Sequence, residues 1–455
     1  MPERYHITTA PTPARFPRIG KYSVVDWRED CARCRNCVKN ACISGVYALD
    51  TAHDRDPGTT LEPAFDCRFC LSCVQGCTKG LLSLSVNPAY LTLGDRFWSR
   101  EMILTTWDQA ENGRIPVSGA GYRGRFCGPG FDSMWTDMSE IVRPTRDGIH
   151  GREYISTSVD IGPKPLRLRF DVDDESESAI VELPLPIILD VPPWGTDGAH
   201  LAGARTNAAR NLRTLSVRRA SQIGEGDDPD ALAPLFEGAD IDAHEGLLRR
   251  VRFAELTDSP DVGANLKRLL ALNPRLVIGV RTPFTAKAGE RLLQLHQAGV
   301  RVVHLCADES GLEVDTAEPR FLRDTLREAH GRLVQEGIRD EMTLIVGGGI
   351  ALAEHMAKAI ICGADLVAVG APLLVALGCR VCDGDHDATC PVQLQDVDVD
   401  YATQRMTNLM GAWHSQLIEV LGAMGIREVR RLRGETGRAM FLEDLDREAF
   451  GDIGY

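Results

Sequence analysis

The sequence predicts an α/β protein whose main part is a (β/α)8 barrel of the TIM type, preceded by a small cysteine-rich α+β domain. Two observations support this prediction. From about residue 184 onward, short apolar runs alternate with amphipathic helical patterns, which is typical of a parallel sheet covered on both faces. Eleven of the 14 cysteines fall into three tight clusters, and C-x2-C spacings of this kind favour metal binding over disulfides.

The composition restricts the class of protein. At 455 residues the chain exceeds the usual size of a single domain, so two or more domains are expected. A formal net charge of −14 argues against a nucleic-acid partner and against a basic face that docks on membranes. The first 16 residues lack the apolar core of a signal peptide, and no uninterrupted apolar run reaches about 18 residues. We therefore expect a cytoplasmic protein that has no membrane partner.

Two cysteine runs near the N terminus have the spacing of a two-cluster ferredoxin. The first run is C-x2-C-x2-C-x4-C, and the second, 36 residues later, is C-x2-C-x2-C-x3-C. Three cysteines at two-residue gaps wrap one corner of a cubane, and the fourth cysteine ligates the other cluster. The spacing therefore predicts one [4Fe–4S] cluster on Cys31, Cys34, Cys37 and Cys77, and a second on Cys67, Cys70, Cys73 and Cys42. A pair of structural zinc sites is the alternative, although zinc knuckles use two C-x2-C pairs rather than two triplets.

The remaining chain divides by composition. Residues 91–165 carry three tryptophans and a glycine-rich run, and we interpret them as a connector or lid. The predicted segments are a ferredoxin-like 2[4Fe–4S] domain (1–90), the connector (91–165), the barrel with its C-terminal helices (166–440) and a tail (441–455).

Seven barrel strands can be read from apolar runs between helical patterns. They are residues 186–189, 216–223, 251–256, 276–281, 302–307, 343–346 and 366–369. A closed barrel needs an eighth strand, which we expect between residues 305 and 339. An open doubly wound sheet is the alternative fold.

Two neighbouring strands end in glycine and are followed by the third cysteine cluster. Gly347, Gly348 and Gly349 follow one apolar run, and Gly370 follows the next. Glycines at adjacent strand ends let backbone N–H groups approach a phosphate. Three cysteines come directly behind them at iron–sulfur spacing, namely Cys379, Cys382 and Cys390. A phosphate-bearing cofactor beside a metal cluster indicates electron transfer.

Charged residues at the strand ends are the candidate catalytic groups, because the active site of such barrels lies at the carboxyl ends of the strands. Glu225, Glu255, Arg281, Asp308 and Glu309 occupy such positions, and the catalytic candidates among them are Glu225, Asp308 and Arg281. A cation near a flavin stabilises its reduced anionic form, so Arg281 is also a candidate cofactor-binding residue. Solvated strand-end charges are the alternative interpretation. His304 and Cys306 stand in an apolar run, where we expect them to pack in the core.

The segment 347–395, together with the ferredoxin-like front, resembles the FMN-binding domain of the glutamate synthase family in its short form, which lacks the glutaminase domain. The tail TNLMGAWHSQLIEVLGAMGIREVRRLRG resembles the helices that follow the cluster loop in that family. The resemblance implies FMN in the barrel, an iron–sulfur cluster in the loop 379–390, and electrons that arrive through the ferredoxin-like domain. The implied cofactor-binding residues are Arg281, Gly347, Gly348, Gly349, Gly370, and Val191 and Pro192 at the first strand end.

The sequence departs from the family at the cluster loop and around the substrate. The family's third loop cysteine is Asp385 here, so the ligands would be Cys379, Cys382, Asp385 and Cys390. Asp385 either ligates iron, which completes a [4Fe–4S] cluster, or leaves a [3Fe–4S] cluster on three thiolates. The lysine expected after the fourth strand is Arg281. These changes leave the glycines of the predicted phosphate site intact. The resemblance therefore implies FMN binding and electron transfer more strongly than it implies glutamate synthesis.

The resemblance implies an oxidoreductase of glutamate synthase type that acts on CH–NH2 donors. Electrons would pass from the ferredoxin-like domain through the third cluster to FMN and on to a 2-oxo acid or imine. The implied partners are a ferredoxin or NAD(P)H-oxidising donor subunit, a small-molecule substrate and a separate glutaminase-like subunit. The alternatives are an FMN and iron–sulfur oxidoreductase with a different amine or imine substrate, and a noncatalytic electron-relay subunit of a larger complex.

Overall fold

The structure is a computed structural model, and the described residues fall into two compact units. The larger unit comprises Met1–Thr12, Thr105–Cys379 and Thr389–Tyr455, and the smaller unit comprises Pro13–Leu104 and Arg380–Ala388. The described residues are 5–16, 19–26, 34, 36, 42, 60–61, 70–115, 128–136, 154–163, 179–194, 198–224, 226–382 and 392–451. The domain ranges given above stay a prediction.

The smaller unit contains a three-stranded antiparallel sheet with the strand order β2-β1-β3. The strands are β1 (Tyr22–Asp26), β2 (Thr60–Leu61) and β3 (Leu82–Val86), and the short helices are α1 (Ser72–Gln75) and α2 (Pro88–Leu91). The side chain of Asn87 caps α2 by accepting a hydrogen bond from Ala89 N at 2.9 Å, and Pro88 stands in the first turn, where its missing N–H costs nothing.

The larger unit is built around a closed barrel of eight parallel strands, which confirms the predicted α/β barrel and excludes the open sheet. Its strands are β7 (Ile187–Leu189), β8 (Ser216–Arg219), β9 (Leu232–Phe236), β10 (Phe253–Thr257), β11 (Val277–Pro283), β12 (Val302–Cys306), β13 (Thr343–Gly347) and β14 (Leu366–Val369). The pairing of β14 with β7 closes the barrel, for example at Val369 and Leu189. Apolar residues of these strands and of the surrounding helices form the core.

The eighth strand is β9, so the expectation of a strand between residues 305 and 339 was wrong. The described chain there forms a loop followed by the helix Leu322–Gln335. Strand β9 was not predicted because its sequence, LAPLF, contains a proline. Pro234 lacks the N–H group with which a residue of a central strand hydrogen-bonds to its neighbour. The strand tolerates Pro234 because its pairing with β10 starts only at Leu235. The predicted strand 216–223 was also too long, since Ala220–Gln222 is a 3-10 turn.

The described residues contain ten further helices. They are α3 (Arg100–Asn112), α4 (Ala199–Asn211), α5 (Glu245–Leu248), α6 (Val262–Leu272), α7 (Ala288–Gln297), α8 (Leu322–Gln335), α9 (Ala353–Ile361), α10 (Ala371–Ala376), α11 (Val399–Ala423) and α12 (Leu442–Phe450). Short 3-10 turns add Gly130–Ser133, Pro229–Ala231, Gly238–Asp240, Asp242–His244, Arg339–Glu341, Leu394–Asp396, Val429–Gly434 and Thr436–Arg438. Among the helices that the structure describes, none is long and apolar enough to cross a membrane.

Helix α11, which packs against α4 and α9, anchors the N-terminal segment within the larger unit. Its buried Asn408 donates to the carbonyl of Ala10 at 2.8 Å and to that of Ala110 at 2.9 Å. The same side chain accepts from Ala10 N at 3.1 Å. A buried amide whose donors and acceptor are all used holds its backbone partners in one geometry.

Two small antiparallel sheets complete the larger unit. They are β4 (Met134–Thr136) with β15 (Ala439–Phe441), and β5 (Val159–Ile161) with β6 (Val181–Leu183). Thr343, the first residue of β13, donates its hydroxyl to the carbonyl of Gly162 at 3.4 Å. The β5–β6 sheet therefore lies at the amino end of the barrel, opposite the end where such folds place their sites.

We predict that Gly348→Ala destabilises the fold. Gly348 has a φ of +94°, and a Cβ there would collide with the carbonyl oxygen of Asp308, so both strain and a steric clash oppose alanine. The expected loss in the free energy of unfolding is about 1–3 kcal/mol or more, measured by chemical denaturation followed by circular dichroism. Gly331 is the matched control, since it lies inside α8 and a Cβ there meets no atom within 4 Å. Gly331→Ala should add roughly 0.5–1 kcal/mol; equal stability of the two variants would refute the prediction.

Candidate functional site

A cavity of about 290 Å³ opens at the carboxyl end of the barrel. Its walls come from the ends of β7, β8, β9, β11, β12, β13 and β14. The predicted residues that line it are Val191, Pro192, Arg281, Asp308, Gly347, Gly348, Gly349 and Gly370. Asp190, Arg219, Cys306 and Glu309 line it as well. The structure thus brings these candidate residues together around one space, as expected for side chains at the carboxyl ends of parallel strands.

The glycine turns are required by the protein's own packing. Gly348 and Gly349 have φ values of +94° and +64°, a region that L side chains rarely adopt. A Cβ at Gly349 would lie 2.6 Å from the Cα of Gly311, and one at Gly370 would lie 2.7 Å from the carbonyl oxygen of Val191. The backbone therefore approaches the neighbouring loops closely here. The sequence predicted only a phosphate-binding role for these glycines, and the structure adds this packing role.

Four charged residues on the barrel strands form a closed ring. Arg281 donates from Nη1 to Oδ1 of Asp190 at 2.7 Å and from Nη2 to Oδ2 at 2.8 Å. Its Nη1 also lies 3.3 Å from Oε2 of Glu255, whose Oε1 is 2.8 Å from Nδ1 of His304. Nε2 of His304 lies 3.9 Å from Oδ2 of Asp190 and closes the ring. Negative and positive side chains alternate around it.

Because the ring is buried, the protonation states of its members determine how much net charge the protein buries. Glu255 and His304 have no exposed surface, and Asp190 is only 7% exposed. Burial opposes the ionisation of Asp190, but Arg281 and His304 outweigh it and lower the pKa of Asp190 to about 2. Burial likewise opposes protonation of His304, while Cys306 and Glu255 raise its pKa to about 10. With His304 protonated, two carboxylates face two cations and no net charge is buried.

Three members of the ring were not identified as functional from the sequence. Asp190 was overlooked, and Glu255 was only one of several strand-end charges. His304 is fully buried as expected, but it pairs with Glu255 rather than packing as an apolar residue. A signal was present: Glu255, Arg281 and His304 each interrupt an apolar barrel strand, and Arg281 is in register with His304. Cys306 corrects another expectation, because it is half-buried and lines the cavity.

Asp308 is positioned by its own loop. Its Oδ1 accepts hydrogen bonds from Ser310 N at 2.9 Å and from Leu312 N at 2.7 Å. Burial raises the pKa of Asp308 above its usual range; these N–H groups oppose the rise, and the charge of Glu309 adds to it. A carboxyl group with a raised pKa at the cavity wall is suited to hold a proton for transfer.

Glu225 lies outside the described residues, so its predicted role stays a prediction. The turn around it is anchored on β8. Arg218 is buried and forms an ion pair with Oδ1 of Asp227 at 2.8 Å. Oδ2 of Asp227 in turn accepts from Gly224 N at 2.8 Å. These contacts place Gly224 near the end of β8.

The predicted metal ligands are only partly described. Cys34, Cys42, Cys70, Cys73 and Cys77 are free thiols, and Cys379 and Cys382 are also described. Cys31, Cys37, Cys67, Asp385 and Cys390 lie outside the described residues. Within the described ranges, no group of three potential ligands is arranged to hold a metal ion. Each predicted cluster has at least one ligand outside those ranges, so the clusters stay a prediction.

One contact links the two N-terminal cysteine runs. Nδ2 of Asn36, which lies between Cys34 and Cys37, donates to the carbonyl of Gly76 at 2.6 Å. The Sγ of the adjacent Cys77 accepts from Leu81 N at 3.3 Å. Burial opposes ionisation of Cys77, but backbone N–H groups outweigh it and lower the pKa of the thiol. Hydrogen bonds from Ser72 lower the pKa of Cys70 in the same way.

This chain is similar to proteins named glutamate synthase. Residues 251–427 match the family described as "Conserved region in glutamate synthase". The archaeal-type glutamate synthase [NADPH] of Dehalococcoides mccartyi is 24% identical over 90% of this chain and 93% of its own length. The archaeal glutamate synthase [NADPH] of Archaeoglobus fulgidus is 24% identical over 94% of this chain and 96% of its own length.

Solved structures of other barrels are more distant. The flavin-binding domain of baker's yeast flavocytochrome b2 aligns with 67% of this chain and 82% of its own at 15% identity, with a TM-score of 0.42. A mandelate oxidase aligns with 66% of this chain and 97% of its own at 16% identity, with a TM-score of 0.38. The barrel assignment therefore rests on the strand order and pairing described above.

We predict that His304→Gln changes how stability depends on pH. The pKa of His304 is raised from about 6.5 to about 10, so its proton is bound more tightly in the folded chain. The resulting stabilisation is fully present below about pH 6.5 and is lost as pH rises through about 10. The free energy of unfolding of the wild type should exceed that of His304→Gln by the largest amount at pH 6. This difference should shrink toward pH 10.

Urea unfolding followed by tryptophan fluorescence at pH 6, 8 and 10 measures this difference. His200 is exposed at the start of α4, so His200→Gln serves as the control and should follow the wild type throughout. A constant difference between the wild type and His304→Gln at all three pH values would show that His304 is not protonated in the fold.

Proposed function

We propose that this protein is an FMN- and iron–sulfur-dependent oxidoreductase of glutamate synthase type. The observation that carries the proposal is the cavity at the carboxyl end of the barrel, with glycine turns from β13 and β14 on its wall and Arg281 beside them. The electron acceptor would be a 2-oxo acid or an imine, and the reaction class that of CH–NH2 oxidoreductases. Relatives named glutamate synthase [NADPH] along nearly the whole chain support it.

The lining of the cavity fits a flavin mononucleotide. Its volume of about 290 Å³ is close to the lower end of the roughly 300–1,000 Å³ typical of small-molecule sites. The turns Gly347–Gly349 and Gly370 present backbone at two adjacent strand ends, which is the arrangement that holds a phosphate in such barrels. Val191, Pro192 and Ile350 supply apolar wall for a ring system. Bound there, FMN would supply two-electron chemistry.

The chain's own residues would bind, orient and protonate the acceptor. Asp308 lines the cavity with a raised pKa and would donate the proton, and Glu225 is the second candidate for this role. Arg281 would lie against the bound groups. Because Asp190 and Glu255 balance its charge, Arg281 would orient them through its hydrogen-bonding edge more than through net charge.

The iron–sulfur part of the proposal rests on cysteine spacing and on one contact. Cys31, Cys34, Cys37 and Cys77 would hold one [4Fe–4S] cluster, and Cys42, Cys67, Cys70 and Cys73 the second. The hydrogen bond from Asn36 to Gly76 supports this crossed assignment, because it brings the first run beside Cys77. Hydrogen bonds to ligand sulfur, such as that from Leu81 to Cys77, are among the features that tune such clusters. The third cluster, [3Fe–4S] or [4Fe–4S], would use Cys379, Cys382, Asp385 and Cys390.

The order of these centres suggests a path for electrons and the kind of partners. Electrons would enter at the two N-terminal clusters, pass through the third cluster and reach FMN. A ferredoxin or an NAD(P)H-oxidising subunit would deliver them, and the name [NADPH] of the relatives favours the second source. A separate glutaminase-like subunit would supply ammonia.

We predict that filling the cavity removes the flavin. Cys306 is half-buried at the end of β12 and lines the cavity, so Cys306→Phe adds a ring there and leaves the glycine residues themselves unchanged. The flavin-to-protein ratio, measured by absorbance after purification and after incubation with FMN, should fall to less than about a tenth of the wild-type value. The far-ultraviolet circular dichroism spectrum should stay unchanged.

Ala286→Phe is the matched control, since Ala286 is exposed in the loop after β11 and does not line the cavity. This variant should keep its full flavin content. If Cys306→Phe retains as much FMN as Ala286→Phe does, the flavin site lies elsewhere in the molecule.

We predict three iron–sulfur clusters in the full-length chain purified without oxygen. Two [4Fe–4S] clusters and one [3Fe–4S] or [4Fe–4S] cluster require about 11 or 12 irons and, in either case, about 12 acid-labile sulfides. Cys77→Ser and Cys379→Ser should each lower the iron count by about four or fewer. Cys362 is buried outside every predicted cluster, so Cys362→Ala should leave the count unchanged. Zinc in place of iron would contradict the assignment.

A further inference from the structure

Both terminal nitrogens of the Arg281 guanidinium group are paired with carboxylates of the protein. Both of its terminal nitrogens donate to Asp190, at 2.7 and 2.8 Å, and Nη1 also lies 3.3 Å from Glu255. This two-point geometry is the one in which an arginine recognises the carboxylate of a ligand. Asp190 therefore occupies, from within the chain, the position that a substrate carboxylate would take.

Asp190 is held firmly in that position. Its backbone N–H donates to the carbonyl of Val369 at 2.8 Å, at the seam that closes the barrel. Its Oδ1 accepts from Val191 N at 2.8 Å. A competing carboxylate would have to break the bidentate pair. Asp190 would then keep only His304, 3.9 Å away, as its cationic neighbour in the ring, and a third carboxylate would share the ring's two cations, which is unfavourable. The strong acidity of Asp190 agrees with this arrangement.

Little other positive charge faces the cavity. Arg219, exposed at the end of β8, is the second arginine of its lining, and it forms no ion pair with a residue that the structure describes. Glu309 adds negative charge to the lining, and Asp308 adds a second carboxyl group. Two cationic positions would neutralise both ends of a dicarboxylate, and outside the ring the described lining offers one, Arg219.

We propose that Asp190 determines the specificity of the site by occupying Arg281, so that the cavity takes an acceptor with a single carboxylate and discriminates against dicarboxylates. This inference rests on the proposed function, since it names the acceptor class of that site. The acceptor is a 2-oxo monocarboxylic acid or its imine. In a five-carbon 2-oxo diacid, the second carboxylate cannot pair with the terminal nitrogens of Arg281, because Asp190 already does so.

The test compares two acids that differ only in a terminal carboxylate, 2-oxopentanoate and 2-oxoglutarate. Isothermal titration of the full chain, with its flavin content recorded, measures both dissociation constants. The wild type should bind 2-oxopentanoate at least as tightly as 2-oxoglutarate. Asp190→Asn keeps the shape of the side chain but frees Arg281, so it should tighten binding of 2-oxoglutarate relative to 2-oxopentanoate on the order of tenfold.

Asp258→Asn is the matched control. Asp258 follows β10 and forms a similar two-point pair with Arg291, in which Nε lies 2.9 Å from Oδ2, but neither residue lines the cavity. Asp258→Asn should leave the ratio of the two dissociation constants at its wild-type value. A preference of the wild type for 2-oxoglutarate, an unchanged ratio in Asp190→Asn, or the same gain in Asp258→Asn would each overturn the inference.

Failure of the proposed function has a different signature. A wild-type chain without flavin, or one that binds neither acid, would contradict the proposed function. In that case the response of Asp190→Asn to 2-oxoglutarate still decides the inference, because gained binding shows that Asp190 blocks Arg281. If Asp190→Asn does not fold, the wild-type preference between the two acids decides it.

Discussion

The ion pair between Arg281 and Asp190 is the interaction on which the mouth of the barrel depends. Charges removed from water are tolerated only when each has a partner at short range, and Glu255 and His304 complete a ring in which every charge has two opposite neighbours. The members come from β10, β11, β12 and the end of β7. The ring can form only when these strands hold the register of a closed barrel, so barrel closure and charge pairing stabilise each other.

The neutral ring also sets the chemistry that the cavity can support. A free arginine would attract any anion, whereas an arginine held by Asp190 and Glu255 presents an oriented edge with little net charge. Groups fixed in this way need no rearrangement when a ligand arrives, which is the condition for effective electrostatic preorganisation. On the other wall, glycines at the ends of β13 and β14 bring backbone close to the cavity. The site therefore pairs a rigid polar wall with a wall of exposed backbone, an arrangement that suits a planar cofactor with a phosphate.

The errors made from the sequence have local physical causes. Strand β9 was missed because Pro234 interrupts its apolar pattern, and only the pairing with β8 and β10 shows that the strand tolerates a proline there. His304 and Cys306 were assigned to the core because their strand is apolar. His304 is buried, as predicted, but its ion pair with Glu255 was not predicted. Cys306 is not in the core, because it lies at the end of β12 and lines the cavity. The glycine turns were recognised, but their packing against the loop at Gly311 and the end of β7 was not.

The sequence by itself determined the features that repeat over short distances. Alternation of apolar runs and helices indicated a parallel barrel and located seven of its eight strands, glycine at two strand ends marked the wall of the cavity, and cysteine spacing predicted metal ligands. The ring was decided only by the tertiary structure. Asp190 and Arg281 are 91 residues apart, and Glu255 and His304 are 49 apart. Local periodicity reports which face of a strand is buried, but not which distant charge it meets. That depends on strand order and register, which exist only once the barrel closes.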